Sequence, residues 1–257
     1  MIGVLGSHLM SGGHHIKEFM GMLSHTLTSI FRPPIRIKET FQQLFFVANG
    51  SLVIVVFCVC FAAMVTILES SFHMKIVIQN DSMVPGFAAM LILRELGSVV
   101  TALLLTSRVG AGMSAEVGLM KITEQVDALK MLGIDPVQYL VVPRLFACII
   151  GATILTIVAD ITCIYSAFVI SEAYLGFTPA LFLTAMRRFV DFQDLIFSMI
   201  KGAAFGSVIP LISCYYGFRC KPGAEGVGSA TTNSVVASSV AIIVIDFILS
   251  YIFSHFY

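Results

Sequence analysis

Residues Leu52–Leu68 read LVIVVFCVCFAAMVTIL, seventeen positions without a single charged side chain. A helix built from them has no polar face to turn toward water, so apolar material must surround it on every side. A soluble core cannot supply that cover here. Of 257 residues, 58% are hydrophobic and 12% charged, against about 25% charged in soluble domains. Lipid is the remaining cover, and the chain reads as an all-α integral membrane protein.

A spanning helix needs about 20 mostly apolar residues. Five segments supply them: Leu44–Leu68, Val84–Ser107, Leu145–Ile170, Leu195–Phe218 and Val235–Phe256. Residues 44–257 thus form one membrane domain of about five transmembrane helices, with no linker-like stretch dividing it. In the preceding residues 1–43, Ile16, Phe19, Met20, Leu23, Leu27, Ile30 and Phe31 recur at spacings of three and four. That is the pattern of an N-terminal amphipathic interfacial helix, or of a short cytoplasmic one. The N-terminus shows no signal-peptide pattern. With that end in the cytoplasm, ten of the fifteen Lys and Arg fall on the cytoplasmic side and only Lys75, Arg187 and Arg188 on the other. This positive-inside bias puts the C-terminus outside.

Net charge is zero, so no basic surface argues for nucleic acid. The six cysteines lie mostly in apolar runs without metal-ligand spacing and read as small buried hydrophobes. The pair His14-His15 sits in a polar leader and reads as solvated. No nucleophile and base fall together at membrane depth, so no catalytic or metal site is expected.

The stretch from Val109 to Pro143 is the most informative cytoplasmic one. Gly110, Ser114 and Gly118 form a small-xxx-small series suited to close helix packing. Then Ile122, Val126, Leu129 and Leu132 alternate at helical spacing with Glu124, Asp127 and Lys130, and Gly133 with Asp135-Pro136 reads as a stop. A short amphipathic helix is therefore expected on the cytoplasmic face. It either lies on the protein's own loops or docks into a soluble partner.

Arg94, Glu95, Lys201 and Asp246 each interrupt an apolar run. At about 2.5–3.5 kcal/mol per charge, four facing lipid would cost on the order of 10–14 kcal/mol. They must pair or line a wet cavity. Ser239, Asp246 and Ser250 give the fifth span one polar face. Asp160 is a weaker candidate, suited to hydrogen bonding within the third span. Buried ion pairs that fix packing and a polar patch in a ligand cavity both fit. Phe and Met, 21 and 13 of them, would suit a lipid cavity but also any helical core. No G-x-x-x-x-G-K-[ST] is present, so the chain has no phosphate loop of that kind. Gly223, Gly226 and Gly228 read as a flexible turn before the fifth span.

The segment LRELGSVVTALLLTSRVGAGMSAEVGLMKITEQVDALKMLGIDPVQYLVVPR, with the later GAEGVGSATTNSVVASSVAIIVIDF, resembles the MlaE (YrbE-type) family of ABC-transporter permeases, which serve MCE-domain lipid transport. The likeness runs from about Leu44 to the C-terminus. It departs at Leu96-Gly97-Ser98, where the family commonly has Leu-Gly-Pro and a local kink. The resemblance implies a homodimer in the bacterial inner membrane and a phospholipid substrate. It implies a coupling helix near 116–132, bearing Glu116, Lys121, Glu124, Asp127 and Lys130, that meets a separate ATP-binding ABC ATPase. It also implies a periplasmic MCE-domain protein, a small STAS-type accessory protein, and Arg94, Glu95, Lys201 and Asp246 as a polar cluster of the lipid cavity. On this reading the permease is not an enzyme and holds no cofactor itself. A secondary transporter or channel relaying ions through the charge cluster is the alternative, and a membrane anchor that organises partners is a third.

Overall fold

The computed structural model describes residues 17–30, 36–77 and 83–256. Among them there are helices and no strand. They are α1 (17–30), α2 (Ile37–Val77), α3 (Val84–Ile122), α4 (Gln125–Met131), α5 (Val137–Leu175), α6 (Pro179–Phe189), α7 (Phe192–Phe218) and α8 (Ala224–Phe256). Five of these, α2, α3, α5, α7 and α8, are long and apolar enough to cross a membrane. At 27 to 41 residues they extend about 40–62 Å, beyond the roughly 30 Å hydrocarbon layer. Each apolar run thus continues into helix outside it. The second span does so most, since α3 carries on through Arg108 and the small-residue series to Ile122. The segment read as the start of a loop is the C-terminal third of a membrane-spanning helix. Likewise Gly226 and Gly228 lie inside α8, and only Gly223, at φ 99°, remains in the turn before it.

Two helices contain π-helical turns. Ile92–Leu96 and Thr106–Gly110 interrupt α3, and Val137–Val141 opens α5 just ahead of Pro143. A wider turn accommodates a proline that has no N–H to give to the ladder. In α3 the first such turn stands immediately before Gly97, so the helix passes through Leu96-Gly97-Ser98 without a proline kink.

The core is a column of three apolar clusters. One contains Val55, Val59, Ile92, Cys163 and Phe182, the middle one Leu105, Met113, Leu155, Phe205 and Ile209, and the third Val117, Val141, Leu145 and Cys214. Phe19, Leu23 and Ile30 of α1 pack on the third, while Met20 and Leu27 stay exposed. Between α3, α5 and α7 the backbones come very close. Gly110 and Gly118 face Ser213 and Cys220 near the C-terminal end of α7, Gly217 meets Val117, and Gly206 rests on the Cys148 carbonyl. Small residues let dispersion do what hydrophobic burial cannot do inside lipid. By contrast α8 buries only 11% of its most apolar window and α2 28%, so the first and last spans hold the periphery.

A Cβ on Gly206 would meet the Cys148 carbonyl oxygen at 2.6 Å and the Ala152 Cβ at 2.9 Å. Gly206→Val should therefore cost about 1–3 kcal/mol. Gly21, with nothing within 4 Å, should accept alanine with a gain of up to about 1 kcal/mol. Thermal unfolding in detergent reads both.

Candidate functional site

Where α3, α7 and α8 meet, a network of charges centres on one level, nine to eleven residues from the N-termini of α3 and α7 and ten from the C-terminus of α8, about 15 Å along each. Lys201 of α7 is its centre. The side chain is 0% exposed, with Nζ 2.6 Å from Asp246 Oδ1 of α8 and 3.1 Å from Glu95 Oε2 of α3. It also donates to the Arg94 carbonyl oxygen at 2.7 Å. The Asp246 contact is an apposition of charges more than an aligned hydrogen bond, because Oδ1 receives no well-directed donor. The π-turn Ile92–Leu96 sets the cluster up. Loosening the regular ladder puts Glu95 and the Arg94 carbonyl on one side, toward Lys201. Ser250, one turn beyond Asp246, donates to Glu95 Oε1 at 3.1 Å. The ring of Phe197 lies 4.9 Å from the ammonium.

Arg94 turns elsewhere. Its Nε donates to Asp194 Oδ1 at 2.7 Å, and Asp194 is 0% exposed. The other oxygen of Asp194 accepts the Asp191 N–H at 2.9 Å, closing a reciprocal cap on α7. The apolar run of the fourth span starts at Leu195, which leaves Asp194 outside it. The D-x-x-D spacing of a capping box was the available signal. Asp160, expected to bond within its own helix, instead accepts from Ser198 Oγ of α7 at 2.6 Å, with its other oxygen against Gly97 of α3. Ser239 takes no part in the network.

Glu95 is 47% exposed and Asp246 19%. Both open on a cleft of about 320 Å³ whose walls are Thr66, Leu91, Leu96, Val99 and Val100. The arrangement sets an anionic, hydrogen-bonding edge, backed by a buried cation, beside an apolar surface.

The other candidate residues lie at the opposite end of α3. The expected single helix over 116–132 is two, because Glu124 adopts a left-handed φ of 62° between Ile122 and Gln125. Glu116 and Lys121 thus end α3, whereas Asp127 and Lys130 belong to α4. Lys121 and Lys130 clamp Asp127 at 2.8 and 3.1 Å and hold its carboxyl below the usual range, Lys121 contributing most. Arg144, 4% exposed, reaches Glu116 at 2.9 Å. Glu124 is exposed, and at the end of α4 Met131 and its neighbour Leu132 are 84% and 75% exposed. Asp135 caps the next turn by accepting the Val137 N–H at 3.0 Å, and His25 of α1 approaches it at 3.4 Å. Among the described residues no group of His, Cys, Asp and Glu could hold a metal.

Residues 40–252 match the family model described as Permease MlaE. A probable ABC transporter permease protein of Rickettsia typhi is 32% identical over 96% of this chain and 95% of its own length. One from Synechocystis is 34% identical over 87% of this chain and 84% of its own. The chloroplastic protein TRIGALACTOSYLDIACYLGLYCEROL 1 of Arabidopsis thaliana is 33% identical over 87% of this chain and 64% of its own.

Lys201→Met leaves two carboxylates facing each other and should cost about 3–5 kcal/mol. Adding Asp246→Leu should recover part of that loss. A double-mutant cycle on unfolding in detergent measures the coupling; additive losses would mean that the pair does not interact.

Proposed function

Because the chain belongs to the MlaE permease family, we propose that it is the membrane-spanning subunit of an ATP-driven lipid transporter, acting as a homodimer in a bacterial inner membrane. One observation carries the lipid reading. The half-exposed Glu95, tied to a fully buried Lys201, stands at the edge of an apolar cleft. A phospholipid presents that pairing of polar head and hydrocarbon, whereas an ion or a small solute has no use for the greasy wall. The name of the Arabidopsis relative, that of a diacylglycerol glycolipid, points the same way.

ATP belongs to a separate ABC ATPase in this scheme. Support for its docking place comes from the cytoplasmic end of α3 and α4, where exposed Met131 and Leu132 stand beside charged Glu124, Asp127 and Lys130. An apolar patch with a polar rim suits a groove on a soluble partner. The Lys/Arg bias supports a cytoplasmic N-terminus and an external C-terminus. The proposed assembly also includes a periplasmic MCE-domain carrier and a small STAS-type accessory protein. ATP-driven movement at α4 would pass along α3 to the charge cluster and alter the cleft in which the lipid lies.

Glu124→Lys and Met131→Asp should each reduce co-purification of the ATPase without lowering the permease's own thermal stability. Unchanged retention in both counts against this docking face. Glu95→Gln should slow ATP-driven transfer of labelled phospholipid between the complex and acceptor vesicles about tenfold, the effect of one lost charge-assisted hydrogen bond, with assembly intact. Full transfer by that variant returns the cluster to a packing role.

A further inference from the structure

Four cationic side chains lie well inside the spanning helices: Arg94, Arg108, Arg144 and Lys201. Three of them hold a carboxylate, those of Asp194, Glu116 and Asp246, at 2.7, 2.9 and 2.6 Å. Among the described residues Arg108 has none. It stands one residue past the apolar run Val84–Ser107, at the edge of the hydrocarbon layer, the level at which lipid phosphates lie.

The guanidinium is nonetheless held in a shaped seat. Nη1 donates to Ser51 Oγ of α2 at 2.8 Å, and the ring of Phe46 lies 5.8 Å from Cζ. Beneath it is Gly50, where a Cβ would meet Nη2 first, then Nη1 at 2.6 Å and Cζ at 2.9 Å. That leaves Nε and Nη2 without an acceptor among the described residues, on a side chain that is half-buried. An arginine fork with free donors at that level is placed to take an anionic oxygen from outside the chain. Lipid phosphates supply one there.

We infer that Arg108, seated on Gly50, Ser51 and Phe46, binds the phosphate of a phospholipid within the membrane. The site is separate from the Lys201 cluster, which lies farther along α3 and presents carboxylates. It rests on the lipid-transport reading only for whether the bound lipid is cargo.

The test uses the intact permease–ATPase complex in detergent, titrated with dioleoyl phosphatidylglycerol and, separately, with dioleoylglycerol, which has no phosphate. Native mass spectrometry reads occupancy. Arg108→Gln should bind phosphatidylglycerol about tenfold more weakly, and Gly50→Ala, which keeps the arginine but fills its seat, should also weaken it. Dioleoylglycerol binding should be weak and the same in all three proteins. Wild-type affinity for phosphatidylglycerol in Arg108→Gln overturns the site, as does equal affinity of the wild type for the two lipids. Should Arg108→Gln not fold, Gly50→Ala carries the same two outcomes. Release of bound phosphatidylglycerol on adding ATP marks a cargo lipid and retention a resident one; either upholds the site. A wild-type complex that moves no lipid with ATP would sink the transport reading and leave the Arg108 result standing.

Discussion

An ammonium group taken wholly out of water costs several kcal/mol unless charges and hydrogen bonds replace its hydration. Lys201 is in that position, and what surrounds it is spread over three helices. Glu95 and the Arg94 carbonyl come from α3, and Asp246 comes from α8. None of the three contacts can be made unless the helices share one depth and one rotation. The widened turn in α3 and the cap that Asp194 places on α7 while gripping Arg94 follow from the same requirement. Apolar packing would tolerate sliding of these helices past one another, because lipid is as good a neighbour as leucine. The buried charge does not tolerate it.

That difference explains what could be read in the linear chain. The five spans were legible because each apolar run is as long as a bilayer demands. Their ends were not, since helices outlast their apolar stretches. α8 begins at Ala224, in a run of small and polar residues that hydropathy alone assigns to a loop. Arg108 looked like the first residue outside the second span for the same reason. Periodicity loses phase wherever a π-turn inserts a residue, as it does twice in α3. The intramembrane charges declared themselves as anomalies, and their need for partners followed from cost. Which partners they take did not follow, because Asp194 sits in a polar stretch and the Ser198–Asp160 link joins positions 38 apart in sequence.

α3 carries most of the unusual chemistry on one continuous rod of about 58 Å. Arg94 and Glu95 lie near one end, Arg108 near the middle, and Glu116 and Lys121 near the other. A helix packed on glycine contacts against α7 transmits displacement with little loss, which is the physical form that communication between two distant sites takes. The break at Glu124 then matters, because α4 is attached to that rod through a single left-handed residue and the Lys121–Asp127 contact.

The last span is fastened differently from the others. With so little of its apolar surface covered by the rest of the chain, α8 is held at two heights by polar points. Near one end Ser234 meets Ser213 at 3.1 Å, and near the other Asp246, Ser250 and Phe253 meet Lys201, Glu95 and Phe197. Between those two levels Ile242 is fully buried in the middle apolar cluster, with Ile245 packed beside it. The opposite edge carries Val240, Ile243, Val244 and Phe247, all exposed, so the last span turns a broad apolar face outward to whatever lies beside it in the bilayer.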